Sequence, residues 1–558
     1  MKWFRRIYLF LLLLLPNIYV TFATTDLTIS PLKQLAYLVV VIVCLLLPAF
    51  VLKSKAYFIF EGIFSLFVAP IEMASVYLNR ATVSTTFLEL VFRTHLKEAT
   101  ELLSSLWPLL LIFILLWVLY FYFAAKEPQE WLFPKIVSTI LLISIPVIVL
   151  IGTVVFSVYA RRIHYETTIS GTLKTAKDLA LMKFYKIYPY DFYLNSIEII
   201  KSQRQINRYN QQLETFSFNI SPKTDTIAEL YVLVIGETAR AHNFSLNGYE
   251  RQTNPRLQSR SNLLSFTHAY SQANLTQSAV PHILSRVGAL QHDSIYAEKS
   301  LVEAFQEAGF AASWLNNGHD VRYVNRIIPV VDHYWSAGRS MSEGEHYDIC
   351  MLQPFLNIVN TEDKQFIVLH HLGSHWRYDQ RYPKQNEIYQ PCAGSDFSIN
   401  MIQPQNKQLL VNAYDNSILY TDFFLDTLIT TIESLHIPTV MLYLSDHGEN
   451  LYDDEQELVM HGTYQGTEYE YNIPFILWYS DEYKQMYPEK ISAAEENKNA
   501  RFSTMVVFHS LLSAANIDSG IDYQKDIFNE SLVEQDSIFA LTGDAHITLL
   551  TPDNSLLH

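Results

Sequence analysis

Carboxylates and imidazoles recur in this 558-residue chain directly after short apolar runs. Glu237 follows the run 230–235 and Gly236, and Asp446 and His447 follow the run 440–444 and Ser445. A carboxylate from one strand end and a carboxylate–imidazole pair from another offer the mixed oxygen and nitrogen donors that suit zinc, with a coordination position open to a reacting group. Taken singly, Glu237 reads as a helix-start residue and Asp446-His447 as a turn. Together, flanked by Gly236 and Gly448, they read as a metal site.

Thr276 stands in Gln272-Ala273-Asn274-Leu275-Thr276-Gln277-Ser278-Ala279-Val280-Pro281. The helix expected over residues 278–287 carries Pro281 early, where proline is tolerated. The hydroxyl then lies at or near a helix N-terminus, whose dipole and free N–H groups favour a phosphate. Alone, Thr276 reads as a helix cap. Beside a metal, which lowers the pKa of a coordinated hydroxyl, it reads as a nucleophile. His375, after Gly373-Ser374, and His461, before Gly462, are expected to give a proton to a leaving alkoxide or to ligate a second ion. His370 and His371 read as structural, and Asp453-Asp454-Glu455 as a solvated acidic loop.

These residues need a frame that brings them together. From about residue 225 onward, short runs rich in Val, Ile, Leu and aromatics cover residues 230–235, 311–315, 366–369, 440–444 and 475–478. Almost unbroken by polar residues, they have the character of buried parallel strands. Helical spacing is expected over 278–287, 301–308 and 408–435. The alternation predicts an α/β domain with an open, mainly parallel sheet covered by helices on both faces. Such sheets carry their sites beyond the carboxyl ends of the strands. Gly236-Glu237, Asn316-Asn317, Gly373-Ser374-His375 and Ser445-Asp446-His447-Gly448-Glu449 all follow strands, so they converge on one edge.

The first 160 residues have a different character. Apolar segments at 7–22, 35–52, 56–78, 106–123 and 136–159 are each close to the ~20 residues that cross a bilayer. A signal peptide is disfavoured for the first, since no cleavage site is evident and four more segments follow. Lys2, Arg5 and Arg6, then Lys53 and Lys55, then Lys126 and Lys135 fall on one side if the N-terminus is cytoplasmic. Everything after Tyr159 is then outside, against the local vote of Arg161 and Arg162. Residues 79–105 read as an amphipathic connector in the interface. The expected organisation is a transmembrane domain at 1–160, a bridging segment at 161–224 and a catalytic domain at 225–558. The net charge of −16 speaks against a nucleic-acid partner. Cys44 reads as a packing residue in an apolar run, and Cys350 and Cys392 could form one disulfide in an extracytoplasmic domain.

The stretch Val234-Ile235-Gly236-Glu237-Thr238-Ala239-Arg240-Ala241-His242-Asn243-Phe244-Ser245-Leu246-Asn247-Gly248-Tyr249, followed by Thr253-Asn254-Pro255, closely resembles the opening motif of the phosphoethanolamine transferases. These enzymes modify lipid A or the lipopolysaccharide core and include the colistin-resistance enzymes. Asn412-Ala413-Tyr414-Asp415-Asn416-Ser417 with Thr421-Asp422, and Ser445-Asp446-His447-Gly448-Glu449, also look like that family, as do the five spans. The resemblance implies an alkaline-phosphatase/sulfatase-like domain in the periplasm, anchored in a bacterial inner membrane by a multi-pass domain. It implies a zinc site of Glu237, Thr276, Asp446 and His447, with a second zinc left open. His375 and His461 match histidines near the donor phosphate, and Asn317 and Glu449 match residues that contact the ethanolamine phosphate. The implied reaction passes phosphoethanolamine from phosphatidylethanolamine to Thr276, and then to lipid A, lipopolysaccharide core or another envelope acceptor.

The chain departs from the family pattern near the nucleophile. Gln272-Ala273-Asn274 lacks the cysteine often found there, and Ser374-His375-Trp376-Arg377-Tyr378 lacks the Gly-Pro that often follows the histidine. A phosphoglycerol transferase of the lipoteichoic-acid-synthase type is the alternative, disfavoured by the long Gly-Glu-Thr-Ala-Arg motif. A sulfatase activity lacks its Cys/Ser-x-Pro-x-Arg context. A non-enzymatic membrane sensor would have no need of the intact Glu237, Thr276, Asp446 and His447.

Overall fold

The computed structural model describes residues 2–23, 31–79, 82–85, 87, 88, 91, 107–137, 139, 187–213 and 215–558, apart from 319, 320, 322, 338–346, 360, 395–402, 454–456, 464, 465, 518, 519, 552–555 and 558. Two compact units comprise Met1–Arg204 and Gln205–His558.

The first unit contains α1 (Lys2–Ala23), α2 (Pro31–Leu46), α3 (Ser54–Asn79) and α4 (Trp107–Ala125), and the division between units falls inside α5 (Tyr190–Leu213). Among the described residues, Lys2–Ala23 and Ser54–Tyr77 are long and apolar enough to cross a membrane, and Tyr37–Phe50 and Leu111–Ala125 are shorter apolar helices. Most of the expected fifth segment, of the 79–105 connector and of the start of the bridging segment lies outside the described residues. Leu9 and Leu13 of α1 are buried against Tyr57 and Phe58 of α3 and Trp117 and Tyr120 of α4. The outer face of α4 leaves Ile112, Leu115 and Val118 exposed, an apolar surface suited to lipid contact. The three basic clusters meet at one end of the unit. Arg6 Nε donates to Glu127 at 2.9 Å, Lys2 Nζ lies 2.7 Å from Glu130, and Ser54 N donates to the Glu130 carbonyl at 2.7 Å.

The second unit is built on a seven-stranded sheet. Its strands are β1 (Glu229–Gly236), β2 (Leu263–Phe266), β3 (Ala311–Asn316), β4 (His333–Ser336), β5 (Lys364–His370), β6 (Thr439–Ser445) and β7 (Phe475–Tyr479), in the spatial order β2-β7-β6-β1-β5-β3-β4. The strands from β6 to β4 run parallel, and β7 is antiparallel to both β6 and β2. Every residue of β1 is buried because helices cover both faces. Tyr231, Leu233 and Ile235 pack with α6 (Thr276–Ile283), α7 (Leu301–Glu307) and the helix Val506–Ala514. Leu230, Val232 and Val234 pack on α8 (Lys407–Glu433) through Leu410, Ile418, Leu425 and Ile429. This alternation is the period-two geometry of a strand. Burying each such side chain contributes about 1.5–3 kcal/mol, so the central strands form a rigid platform. The start of α7 is fixed by a capping box between Ser300 and Glu303.

One sequence expectation changes here. The strand over 475–478 is antiparallel: it pairs with β6 in the reverse direction, and no crossover helix of the kind a parallel connection requires is found among the described residues between them. The edge strands β2 and β4, of four residues each, carry too little periodic signal to announce themselves. Cys350 and Cys392 are separate thiols.

Candidate active site

The register of the central strands builds the site. Gly236 at the end of β1 pairs with Ser445 at the end of β6, so Glu237 and Asp446 leave the sheet side by side. Asp446 N donates to the Gly236 carbonyl at 2.9 Å. Thr238 then turns with φ +62°, unusual for a β-branched residue. The turn is held by Thr238 N donating to Asp446 Oδ1 at 3.0 Å and by the Tyr414 hydroxyl donating to Thr238 O at 2.7 Å. From the other side, Gly373 (φ +53°) approaches so closely that a Cβ would lie 2.6 Å from Glu237 O. Ser374 N also donates to that carbonyl, at 2.9 Å.

Glu237, Asp446 and His447 each offer a ligand atom, all within 4.8 Å of one another, and all three side chains are fully buried. His447 Nε2 lies 3.5 Å from Glu237 Oε1 and 3.3 Å from Asp446 Oδ2. Its Nδ1 is 2.9 Å from the Gly448 carbonyl, which can only accept, so Nδ1 carries a hydrogen and Nε2 faces the carboxylates, where a cation would take the place of its proton. Asp446 Oδ1 accepts from Thr238 N and His447 N, whereas buried Asp446 Oδ2 has no hydrogen-bond partner. Burial, reinforced by Glu237, pushes the Asp446 carboxyl up to about 6. Burial works to lower His447, but Asp446 and Glu237 overcome it and push the imidazole up to about 10. An acidic, buried cluster with one oxygen lacking a donor and one nitrogen turned inward fits a divalent cation.

Thr276 joins this cluster. Its Oγ1 lies 2.7 Å from Glu237 Oε1, to which it donates, and 3.1 Å from His447 Nε2. The helix begins at Thr276 rather than at 278, with Leu275 in the cap position and no side-chain cap, and Pro281 lies inside it. Thr276 is therefore the first helical residue and not a cap.

A second group adjoins the first. The ring of His461 lies 4.1 Å from that of His447 and 6.0 Å from that of His375. His461 Nδ1 is 2.7 Å from Glu449 Oε2, and Glu449 Oε1 accepts from the Tyr378 hydroxyl at 2.6 Å. Glu449 is fully buried, so its carboxylate sits behind His461 with both oxygens engaged. His375 Nδ1 is 2.7 Å from Trp376 O. Asn317 lies at the end of β3, with Nδ2 donating to Asp348 Oδ1 at 2.8 Å. Asp348 also accepts from Leu372 N and Gly373 N, tying Asn317 to the His375 loop. His370, read as structural, places Nε2 4.0 Å from Glu237 Oε2, while His371 packs edge-on against Phe424. Of the acidic run read as a solvated loop, Asp454 and Glu455 lie outside the described residues, and Asp453 is partly buried. It pairs with Arg240, Oδ2 to Nη1 at 2.5 Å, and Arg240 is itself almost fully buried. Sequence reading missed Tyr378 and Asp348, whose partners Glu449 and Asn317 lie 71 and 31 residues away, and no local pattern marks either.

Residues 229–517 match the sulfatase family, and this stretch contains every site residue named above. The chain belongs to the sulfatase family. Membership concerns the domain, and the position beside the carboxylates holds a threonine. Over 305 residues the chain is 30% identical to phosphoethanolamine transferase EptA of Escherichia coli strain K12, covering 52% of this chain and 54% of that one. The chain thus spans about half the length of the curated EptA relatives it matches. Its fold is similar to that of the integral membrane protein lipooligosaccharide phosphoethanolamine transferase A (EptA) from Neisseria meningitidis, with a TM-score of 0.66, 22% identity, and coverage of 84% of this chain and 86% of that one. It is similar also to the C-terminal periplasmic domain of EcEptC from Escherichia coli in complex with Zn, with a TM-score of 0.52, 23% identity, and coverage of 61% and 94%. The resemblance stated from the motif is borne out by these names, and the alkaline-phosphatase/sulfatase-like α/β fold by the family match.

Proposed function

We propose that this protein transfers phosphoethanolamine from phosphatidylethanolamine, by way of a phosphothreonine at Thr276, to lipid A, lipopolysaccharide core or another envelope acceptor. The observation that carries the reading is the Thr276 hydroxyl, 2.7 Å from Glu237 and 3.1 Å from His447 within a buried, metal-fitting cluster. Glu237, Asp446, His447 and Thr276 would hold zinc, the metal of the EcEptC complex. Bound there, zinc supplies a Lewis acid that favours the alkoxide form of the hydroxyl and polarises the phosphoryl group.

The chain's own residues supply the rest. Glu237 Oε1 accepts the hydrogen bond that orients the Thr276 hydroxyl. The Thr276 hydroxyl gives up its proton by way of Glu237 Oε1, Oγ1 attacks phosphorus, the bond to the diacylglycerol oxygen breaks, and His461 or His375 gives that oxygen its proton. His461 is the better oriented, because Glu449 and Tyr378 fix Nδ1 and leave Nε2 to exchange the proton. In the second step the histidine takes a proton from the acceptor, whose oxygen attacks phosphorus as the Thr276 bond breaks. Glu449 acts through His461, and Asn317 and His375, in the loops that follow β3 and β5, are the candidates to contact the ethanolamine phosphate. The setting is a bacterial inner membrane with a multi-pass domain of five spans, a bridging segment at 161–224 and a periplasmic catalytic domain at 225–558.

The test is mass analysis of the purified protein after incubation with phosphatidylethanolamine. A phosphoethanolamine adduct on Thr276 is expected in the wild type. Thr276→Ala is expected to lose transfer by at least about 10⁴-fold, as when a nucleophile is removed, while still folding. A glycerophosphate adduct would assign the phosphoglycerol reaction instead, and retained transfer by Thr276→Ala would remove the nucleophile assignment.

A further inference from the structure

Glu470 lies outside the metal cluster and touches no reacting atom, yet three segments of the site converge on it. It sits in the one-turn helix Glu468–Tyr471 and is fully buried. Its Oε1 accepts from Asn274 Nδ2 and from Thr463 N, both at 2.9 Å, and its Oε2 accepts from Thr463 Oγ1 at 2.6 Å. Its backbone carbonyl accepts from Gly448 N at 2.7 Å. Asn274 Nδ2 also donates to the Thr463 carbonyl at 2.9 Å. Asn274 is two residues before Thr276, Thr463 is two residues after His461, and Gly448 follows His447. Leaving a buried carboxylate in place costs free energy unless donors surround it, and here two side-chain donors and an N–H are aimed at it.

The two loops also approach each other closely. Gly462 adopts φ +72°, and a Cβ there would meet Leu275 Cδ2 at 2.5 Å, so the His461 strap lies directly on the residue before Thr276. On its other side the strap receives Gly543 N, which donates to Thr463 O at 3.1 Å. Leu275 provides only apolar contact, which does not fix direction. The Glu470 carboxylate gives the two loops a shared polar anchor with defined geometry.

We propose that Glu470 is a positioning residue that sets the distance between the Thr276 hydroxyl and the His461 imidazole by clamping the nucleophile loop to the His461 strap. The proposal rests on the nucleophile and proton-donor assignments above. Misplacement of reacting groups by about 1 Å can cost on the order of 100-fold in rate. Glu470→Ala removes all three side-chain bonds. Glu470→Gln keeps an Oε1 acceptor for Asn274 and Thr463 N, and Thr463 Oγ1 can rotate to accept from the new amide.

The experiment compares wild type, Glu470→Ala, Glu470→Gln and Asn274→Ala in the full-length protein. It measures steady-state transfer from phosphatidylethanolamine vesicles, zinc content, and hydrogen exchange of peptides spanning 272–276 and 461–466. For Glu470→Ala the expected result is kcat lower by about 10- to 100-fold, with KM and zinc content within about 2-fold of wild type. Exchange should be faster in both peptides. Glu470→Gln should restore most of kcat. Asn274→Ala, which cuts only the nucleophile-loop arm, covers the case in which Glu470→Ala does not fold; it should lower kcat and loosen 272–276 in particular. Wild-type kcat in Glu470→Ala, no rescue by Glu470→Gln, or faster exchange in only one of the peptides in Glu470→Ala would each overturn the clamp. A wild type that forms no adduct on Thr276 would defeat the proposed function instead, and the exchange measurements would still decide whether Glu470 joins the two loops.

Discussion

Asp446→Asn separates metal binding from folding, and the separation follows from the two oxygens of Asp446. Oδ1 accepts from Thr238 N at 3.0 Å and His447 N at 2.7 Å, and an asparagine Oδ1 can accept both. Oδ2 has no hydrogen-bond partner and lies 3.3 Å from His447 Nε2. An amide nitrogen in its place cannot ligate a cation but can donate to Glu237 or to His447 Nε2. The metal-free variant should therefore fold. With free zinc about 1,000-fold above Kd, binding to the native state alone stabilises the wild type by about 4 kcal/mol. Loss of a direct ligand should weaken binding by more than the 10- to 100-fold typical of an outer-shell change. Taking about 100-fold as the minimum, the same zinc concentration is then only about 10-fold above Kd and stabilises by about 1.4 kcal/mol or less. The assay is thermal unfolding of both proteins with zinc and with chelator, alongside metal analysis. A zinc-dependent shift in Asp446→Asn equal to that of the wild type would refute the assignment of Asp446 as a ligand.

Two further outcomes follow from the same cluster. Gly373→Ala should cost about 1–3 kcal/mol and reduce zinc content, because a Cβ at φ +53° would press on the Glu237 backbone; thermal unfolding and metal analysis check it, and a wild-type result would contradict the close approach. In the metal-free protein His447 is raised to about 10 and Asp446 to about 6, so zinc must displace the His447 proton throughout the neutral range. Zinc affinity should then rise about 10-fold per pH unit between about pH 7 and pH 9, and more steeply below about pH 6, where Asp446 also carries a proton. Competition with a chromophoric chelator at several pH values measures this, and an affinity independent of pH would contradict it.

The convergence of Glu237, Asn317, His375 and Asp446 was legible because strand ends are a topological property. Once residues 230–235, 311–315, 366–369 and 440–444 read as parallel strands, the residues after them had to share an edge. Register did the rest, since Gly236 opposite Ser445 sets two carboxylates side by side. The direction of β7 was not legible, because strand residues look alike in either direction and the deciding connection is irregular. Asp453 appeared as a solvated charge because its partner Arg240 lies 213 residues earlier. The hydrogen-bond partners of Glu449 and Glu470 were hidden for the same reason: a buried carboxylate is defined by its donors, and those donors come from distant segments.

Thr276 shows how a one-residue difference in the start of a helix changes chemistry. A threonine at the cap position spends its hydroxyl on the first-turn N–H groups, a contribution of about 1 kcal/mol to the helix. Here Leu275 occupies that position, and Ser278 N and Ala279 N donate to its carbonyl. The helix forgoes a side-chain cap and accepts Pro281 in its interior, a substantial local penalty. Burial of Ala279, Val280, Pro281, His282 and Ile283 offsets that penalty, so tertiary packing and not helix propensity holds the segment. Freed from capping, the hydroxyl can turn to Glu237 and His447. The local weakness of this helix thus goes with a first residue whose hydroxyl is not spent on capping, as the proposed nucleophile requires.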